Sequence, residues 1–346
     1  MALLNVLVVN AGSTSLKLHI VRPDGSAERL DSLAAAAGLV GAVAHRVVHG
    51  GPRFREPVVI DGEVRAQIFR VEPLAPLHTA PALRASEAAE AVLPDIPHVA
   101  VFDTGFHATI PAAAATYGLP RQWREEWGVH RYGFHGLSVQ WSTEQVQVPR
   151  LVVCHLGGGC SVTAVLDGRS VDTTMGFSPL EGVPMATRSG SIDPGSILYV
   201  MREHGLGVDE LDLALNHEAG LKGLAGGSGD MRELEERAIA GEPDAVLAFD
   251  VFVHRLVAAI GAMSAATHGL DALVFTAGIG EGSALVRRRV CERLDYLGVE
   301  LDESRNAACD GDADIGAPSS PVRVAVVQAR EELVAARAAV ALLGDL

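Results

Sequence analysis

Residues 151–168 read LVVCHLGGGCSVTAVLDG, and residues 6–25 read VLVVNAGSTSLKLHIVRPDG. In both, a short apolar run enters a Gly/Ser-rich turn, a second strand-like segment follows, and Asp-Gly ends it. This pattern predicts two strand–turn–strand units, Val6–Val9 with Leu16–Ile20 and Leu151–His155 with Val162–Leu166. One grammar written twice in a chain points to an internal duplication.

Working outward, a third apolar run, Ala272–Thr276, enters another glycine-rich turn at Gly278–Gly282. Val322–Val327 reads as a late strand. Helical patterns occupy Ala80–Ala91, Pro194–His204, Asp209–Leu215, Asp230–Ala240, Pro243–His268, Ser283–Leu294 and Glu331–Leu343. Strands and helices alternate in blocks, so the class is α/β. The 346 residues exceed one hydrophobic core and predict two domains, with a crossing near Phe102–Pro111.

Composition narrows the function. The formal charge is −15, from 28 basic and 43 acidic residues, which argues against nucleic acid or an anionic membrane as main partner. The longest apolar run identified, Leu33–Ala44, is too short to span a bilayer. The N-terminus lacks a basic region and reads as a first strand rather than a signal peptide. Four cysteines without CxxC spacing argue against a zinc site or disulfide framework and suit a reducing cytoplasm. Only Lys17 and Lys222 are lysines, so a lysine beside a Gly/Ser turn stands out.

Alternation places Ser13, Ser15 and Lys17 on one strand face. With the backbone N–H groups of the turn they suit phosphate oxygens, or else form a plain hairpin with a solvated lysine. The turn His155-Leu156-Gly157-Gly158-Gly159 lets a phosphate chain approach the backbone, and Gly278-Ile279-Gly280-Glu281-Gly282 opens a helix. Arg46 lies inside an apolar strand, so it is either paired or meets a ligand, and Arg188 sits in a loop of small residues. His45 and His49 are four apart in a strand-like context, which does not suit metal. Asp103 ends an apolar strand, where α/β sites commonly lie. His135 stands among glycines and aromatics. Glu331 either holds a metal or caps the last helix.

Taken together, the segments resemble the acetate kinase family, carboxylate kinases of the actin-like ATPase superfamily. The matching motifs are NAGSTSLK (10–17), HRVVHGG (45–51), LAPLH (74–78), FDTGFH (102–107), YGFHG (132–136) and CHLGGG (154–159). They continue as MGFSPLEG (175–182), TRSGSIDPG (187–195), GDMREL (229–234), FTAGIGEGSA (275–284) and EEL (331–333), in order along the chain. The resemblance implies a duplicated actin-like, ribonuclease H-like fold of two domains around a central cleft. Residues 1–105 with 333–346 form the acyl-substrate side, and 106–332 the nucleotide side. It implies reversible, Mg²⁺-dependent, in-line transfer of the ATP γ-phosphoryl group to acetate or another short carboxylate such as propionate. The products are acetyl phosphate and ADP. Mn²⁺ is an acceptable substitute, and the enzyme is a cytoplasmic homodimer.

By matching position, Arg46 contacts the carboxylate and Asp103 is the catalytic acid, while His135 and Arg188 stabilise the transferring phosphoryl group. Asn10 and Glu331 match the magnesium positions, and Lys17, Ser13 and Ser15 belong to the phosphate-contacting turn. The nucleotide loops are His155, Leu156, Gly157, Gly158 and Gly159; Asp230, Met231 and Arg232; and Gly278, Ile279, Gly280, Glu281 and Gly282. Val48, Leu77, Phe134 and Pro179 form the apolar pocket for the acyl tail. The chain departs from the family pattern where Gly158 and Gly282 each replace an asparagine. Losing those amides bears on nucleotide affinity or on the choice of phosphoryl donor.

Overall fold

A computed structural model describes residues 4–11, 16–71 and 76–344, with backbone alone at 76–79. The chain divides into two compact units. One gathers the residues up to Thr109, Tyr117–Trp141 and Arg330 onward; the other is Ile110–Thr116 with Ser142–Ala329. Ser13 and Ser15 lie outside the described residues, as does the side chain of Leu77.

In the first unit β1 (Val6–Ala11), β2 (Leu16–Val21) and β3 (Ala27–Leu30) form an antiparallel meander. β4 (Ala42–Val47) pairs parallel to β1, and β6 (His98–Phe102) parallel to β4, with β5 (Val58–Val59) antiparallel at the edge. The order is β3-β2-β1-β4-β6-β5.

The second unit repeats this plan. β7 (Arg150–Leu156), β8 (Cys160–Leu166) and β9 (Arg169–Thr173) form the meander. β10 (Ala272–Thr276) and β12 (Arg323–Val326) add in parallel, and β11 (Ala313–Asp314) closes the edge antiparallel. Its order, β11-β12-β10-β7-β8-β9, matches the first sheet strand for strand. The duplication read from the two hairpins therefore extends over both sheets.

Central strands are apolar on both faces because helices cover both. Val6 and Val8 pack with Val99, Val101 and the helix Glu331–Gly344, while Leu7 and Val9 pack with Val43, Ala89 and Leu93 on the opposite face. In the second unit the helix Pro243–Ala266 buries Phe249, Phe252, Leu256 and Ile260 against the sheet. This helix corrects one sequence expectation. Among the described residues it is a helix apolar enough, with a mean hydropathy of 1.8 in its best window, and long enough to cross a membrane. The sequence pattern predicts this helix as Pro243–His268, but Asp250, His254 and Arg255 interrupt its apolar run. Its buried side chains identify it as a core helix of this unit.

Helix ends follow their caps. Asp61, Asp193, Asp230, Ser283 and Asp302 each accept a backbone N–H in the first turn of the helix that follows. The helix expected at Ala80–Ala91 instead runs Pro76–Val92, with Pro81 inside it.

Candidate functional site

The polar groups of the first unit meet because its parallel strands end together. Sheet register sets Asn10 beside Arg46 on one side and Lys17 on the other. Asp103 follows β6 directly, its N–H donating to the Val47 carbonyl at 3.0 Å. The site thus lies at the carboxyl ends of β1, β4 and β6, as α/β sites commonly do.

Arg46 organises it. Its Nε donates to both Asp103 oxygens at 2.9 and 3.1 Å, and its Nη2 to Oδ2 at 2.5 Å. Its Nη1 donates to Asn10 Oδ1 at 3.0 Å and lies 3.4 Å from Glu331 Oε2. Asn10 Nδ2 closes the ring by donating to the same Glu331 oxygen at 3.2 Å. The side chains of Arg46 and Glu331 are 16% and 14% exposed, against 1% for Asp103. Burial opposes the charge on Arg46, but the carboxylates of Asp103 and Glu331 outweigh it and hold its pKa above the ordinary value. Burial raises the Asp103 carboxyl above its usual range, with the Arg46 charge pulling the other way. The sequence left Arg46 as either paired or ligand-facing; it is paired, with an edge still reaching solvent.

The Tyr132–Gly136 segment leans on Asp103. Gly136 N–H donates to the Asp103 carbonyl at 2.9 Å, and a Cβ at Gly136 would stand 2.1 Å from that oxygen, so only glycine fits. His135 adopts φ 59°, left-handed backbone that a side chain rarely takes. Buried His107 donates from Nε2 to the Phe134 carbonyl at 2.8 Å. Sequence reasoning missed this support, although His107 closes the FDTGFH motif. Val48 and Phe134 are buried, the latter edge-on to His49 with centroids 5.3 Å apart. Pro179 belongs to the second unit, where its carbonyl accepts from Arg188.

The second unit contains a cleft of about 750 Å³. Its walls are the turns at Gly157-Gly158, Gly229–Arg232 and Gly278-Ile279, with Glu235, Gly282 and Ser283. Small residues dominate, as backbone-lined ligand sites require. Leu156 is core, and Gly159 closes the hairpin by accepting from Gly157 N–H at 3.0 Å. Gly280 packs on Phe275, and Glu281 turns inward, accepting from Ala277 and Ala329 N–H, each at 2.8 Å. Asp230 caps its helix and pairs with Arg232 at 2.6 Å; hydrogen bonds from Arg232 lower its pKa to about 2. Glu235, not foreseen from sequence, joins this wall and accepts from Ser283 Oγ; burial raises its carboxyl. Its spacing of four from Met231 puts both on one helix face.

Arg188 is different in kind. Its Nη1 donates to the Pro179 carbonyl at 2.9 Å and meets Met185 Sδ at 3.7 Å. Among the described residues it has no carboxylate partner, and burial lowers its pKa. Its loop is pinned by Leu221 N–H to the Met185 carbonyl at 2.9 Å. That contact needs Gly220, where φ is +60° and a Cβ would stand 2.1 Å from the same carbonyl.

Asn10 and Glu331 are joined by the hydrogen bond from Asn10 Nδ2 to Glu331 Oε2 at 3.2 Å, and the Asn10 carboxamide oxygen accepts from Arg46 Nη1 at 3.0 Å. No cluster of three or more His, Cys, Asp or Glu suited to metal occurs among the described residues. Oxygen donors of this kind are the type that hard divalent cations take, and here both face the Arg46 guanidinium.

Comparison with known proteins agrees with the geometry. Residues 32–337 match the model of the Acetokinase family. An acetate kinase of Nostoc punctiforme is 47% identical over 317 residues, covering 89% of this chain and 77% of that one. The crystal structure of a propionate kinase from Francisella tularensis superposes with a TM-score of 0.90 at 33% identity, covering 97% and 99% of the two chains. That of Porphyromonas gingivalis acetate kinase gives 0.86 at 32%, covering 98% and 99%. The chain therefore belongs to the acetokinase family, on the duplicated α/β fold of actin-like ATPases.

Proposed function

We propose that the protein transfers the γ-phosphoryl group of ATP reversibly to a short carboxylate, acetate or propionate, giving an acyl phosphate and ADP. Relatives named for both acids support that pair. The observation that carries the reading is Arg188, a half-buried cation with no carboxylate partner among the described residues. Such a group is primed for an incoming anion.

The first unit takes the acyl substrate and the second the nucleotide. The acceptor is ionised at neutral pH, so transfer needs no strong base. The barrier lies in bringing two anions into line, and preorganised cations lower it. Arg46, fixed by Asp103, presents its solvent-reaching edge to the carboxylate, with Val48 and Phe134 beside the acyl tail. Arg188 and His135 neutralise the transferring phosphoryl group, and Lys17, Ser13 and Ser15 receive phosphate oxygens. Asp103 orients Arg46 rather than moving a proton, because both its oxygens are engaged by the guanidinium. The Gly157-Gly158, Asp230–Arg232 and Gly278–Gly282 turns receive the nucleotide. Mg²⁺, held by Asn10 and Glu331, would supply charge neutralisation to the phosphates. The working enzyme is a cytoplasmic homodimer.

The test is an assay of purified protein with ATP, Mg²⁺ and acetate, trapping acyl phosphate with hydroxylamine. Propionate and butyrate run in parallel with an acid-free blank. Acid-dependent trapping is expected, highest with acetate or propionate; no trapped product despite nucleotide binding would overturn the proposal.

A further inference from the structure

Behind the strand that carries Arg46 lies a second polar cluster that the reaction does not use. His45, on β4, is 2% exposed, and neighbouring strand residues face opposite ways, so its ring points away from Arg46's partners. Its Nε2 lies 2.9 Å from His98 Nδ1, and His98 Nε2 lies 3.0 Å from the Leu93 carbonyl. A carbonyl only accepts, so His98 carries its proton on Nε2. Its Nδ1 must then accept, and His45 must donate from Nε2. The chain of tautomers leaves His45 Nδ1 as a bare acceptor, and that atom is buried without a partner.

Two other atoms share this condition. Arg65 Nε, on the helix Gly62–Arg70, and Ser86 Oγ, on the helix Pro76–Val92, are buried and unpartnered. All three residues line one small cavity, walled otherwise by apolar groups such as Val47, Ile60 and Ile68. Its volume is about 10 Å³ of space for a water centre, close to one water molecule.

We propose that this cavity is a binding site for a single internal water. The set of partners is complementary: Arg65 Nε–H donates to the water, the water donates to His45 Nδ1, and Ser86 Oγ accepts its second hydrogen. Three hydrogen bonds are the usual complement of a buried water. The Arg65 Nε–H is a donor and does not suit a cation, and its charge, already matched by Glu90, calls for no anion. The volume excludes anything larger. The bound water completes a chain from the Leu93 carbonyl through His98 and His45 to the Arg65–Glu90 ion pair. That chain holds the back of β4 while Arg46 is presented on the other side.

The direct test is a crystal structure of the unmodified protein at a resolution that orders internal waters. One density peak within hydrogen-bond distance of His45 Nδ1, Arg65 Nε and Ser86 Oγ is expected. An empty cavity, or direct pairing among these side chains, would overturn the site. Independently, nitrogen-15 NMR of the imidazoles should find His45 protonated at Nε2, with Nδ1 in the shift range of a hydrogen-bonded acceptor. Protonation of His45 at Nδ1 would overturn it as well.

Discussion

Arg46 and Asp103, 57 residues apart in sequence, form a two-pronged ion pair whose shortest contact is 2.5 Å. Only one partner reaches solvent: Arg46 is 16% exposed and Asp103 1%. Removing Asp103 would leave a largely buried guanidinium held only through Nη1, by Asn10 and Glu331. Breaking such a pair from one side costs about 3–5 kcal/mol. Asp103→Ala is therefore expected to lower the thermal midpoint and to raise KM for acetate at least tenfold. Asp103→Asn, which keeps one oxygen acceptor, should lose less stability but still weaken carboxylate binding. An unchanged acetate KM in both variants would contradict the role of Asp103 in orienting Arg46.

Arg188 presents the opposite case. It ties a carbonyl and a thioether, with no counter-charge among the described residues, so the fold gains little from its charge. Arg188→Ala should leave urea-induced unfolding nearly unchanged while reducing kcat by about 10²–10³, the scale on which lost transition-state donors act. Partial recovery on adding free guanidinium would locate the defect at the missing charge. A large stability loss with kcat preserved would instead make Arg188 a structural residue.

Stability should depend on pH through two buried imidazoles. Burial lowers the pKa of His45 to about 3 and of His107 to about 4, from an ordinary 6.5. His45 is faced by Arg65 and His98, which also oppose its protonation. Unfolded, both rings take protons below pH 6.5 that the folded chain refuses. Their contribution is thus complete above pH 6.5 and is lost as pH falls toward 4 and 3. By pH 5 the loss is about 2 kcal/mol for each ring. Urea titrations at pH 7.5 and pH 5 should show it. His107→Gln, which keeps an N–H for the Phe134 carbonyl, should remove about half of the difference; an identical difference would refute the assignment.

Much of this was legible in the sequence because the informative signals are local. The hairpins 6–21 and 151–166 announce themselves through run, turn and alternation, and they fix one half of each sheet. What joins Arg46 to Asp103 is the parallel register of β4 and β6, which no local pattern encodes. The sequence could therefore name both residues without deciding whether Arg46 was paired. The same holds for His45, Arg65 and Ser86, which come from one strand and two helices. The helix expected from Ala80 begins four residues earlier, at Pro76, and carries Pro81 inside it, a position where a proline usually ends a helix.

Glu281 is a nucleotide residue by motif, yet its Oε1 is taken by two backbone N–H groups. One belongs to Ala277, at φ 65°, and the other to Ala329, the last residue before the chain enters the first unit. Glu281→Ala removes the one oxygen, Oε1, that accepts both hydrogen bonds, about 1 kcal/mol each, and should weaken ATP binding roughly tenfold by calorimetry. Glu281→Gln keeps the accepting oxygen and should restore most of the affinity. Equal losses in the two variants would mean that the carboxylate charge meets the nucleotide itself.

Gly158 and Gly282 are the two cleft positions where the motif resemblance implies asparagine. A Cβ at either would meet nothing within 4 Å, and neither has left-handed backbone. Both line the cleft of the second unit, the proposed nucleotide site. The structure thus leaves room for the missing amides and nothing in their place. Gly158→Asn and Gly282→Asn should each fold normally and tighten ATP binding several-fold, since a hydrogen bond to a charged acceptor contributes about 1.5–3 kcal/mol before the cost of ordering the side chain. The comparison should include pyrophosphate as a donor lacking adenosine. If the asparagine variants gain affinity for ATP alone, the glycines are a simple loss of nucleotide contacts. If they instead gain nothing for ATP and lose turnover with pyrophosphate, the open turns serve a donor other than ATP, and the nucleotide assignment of this cleft fails.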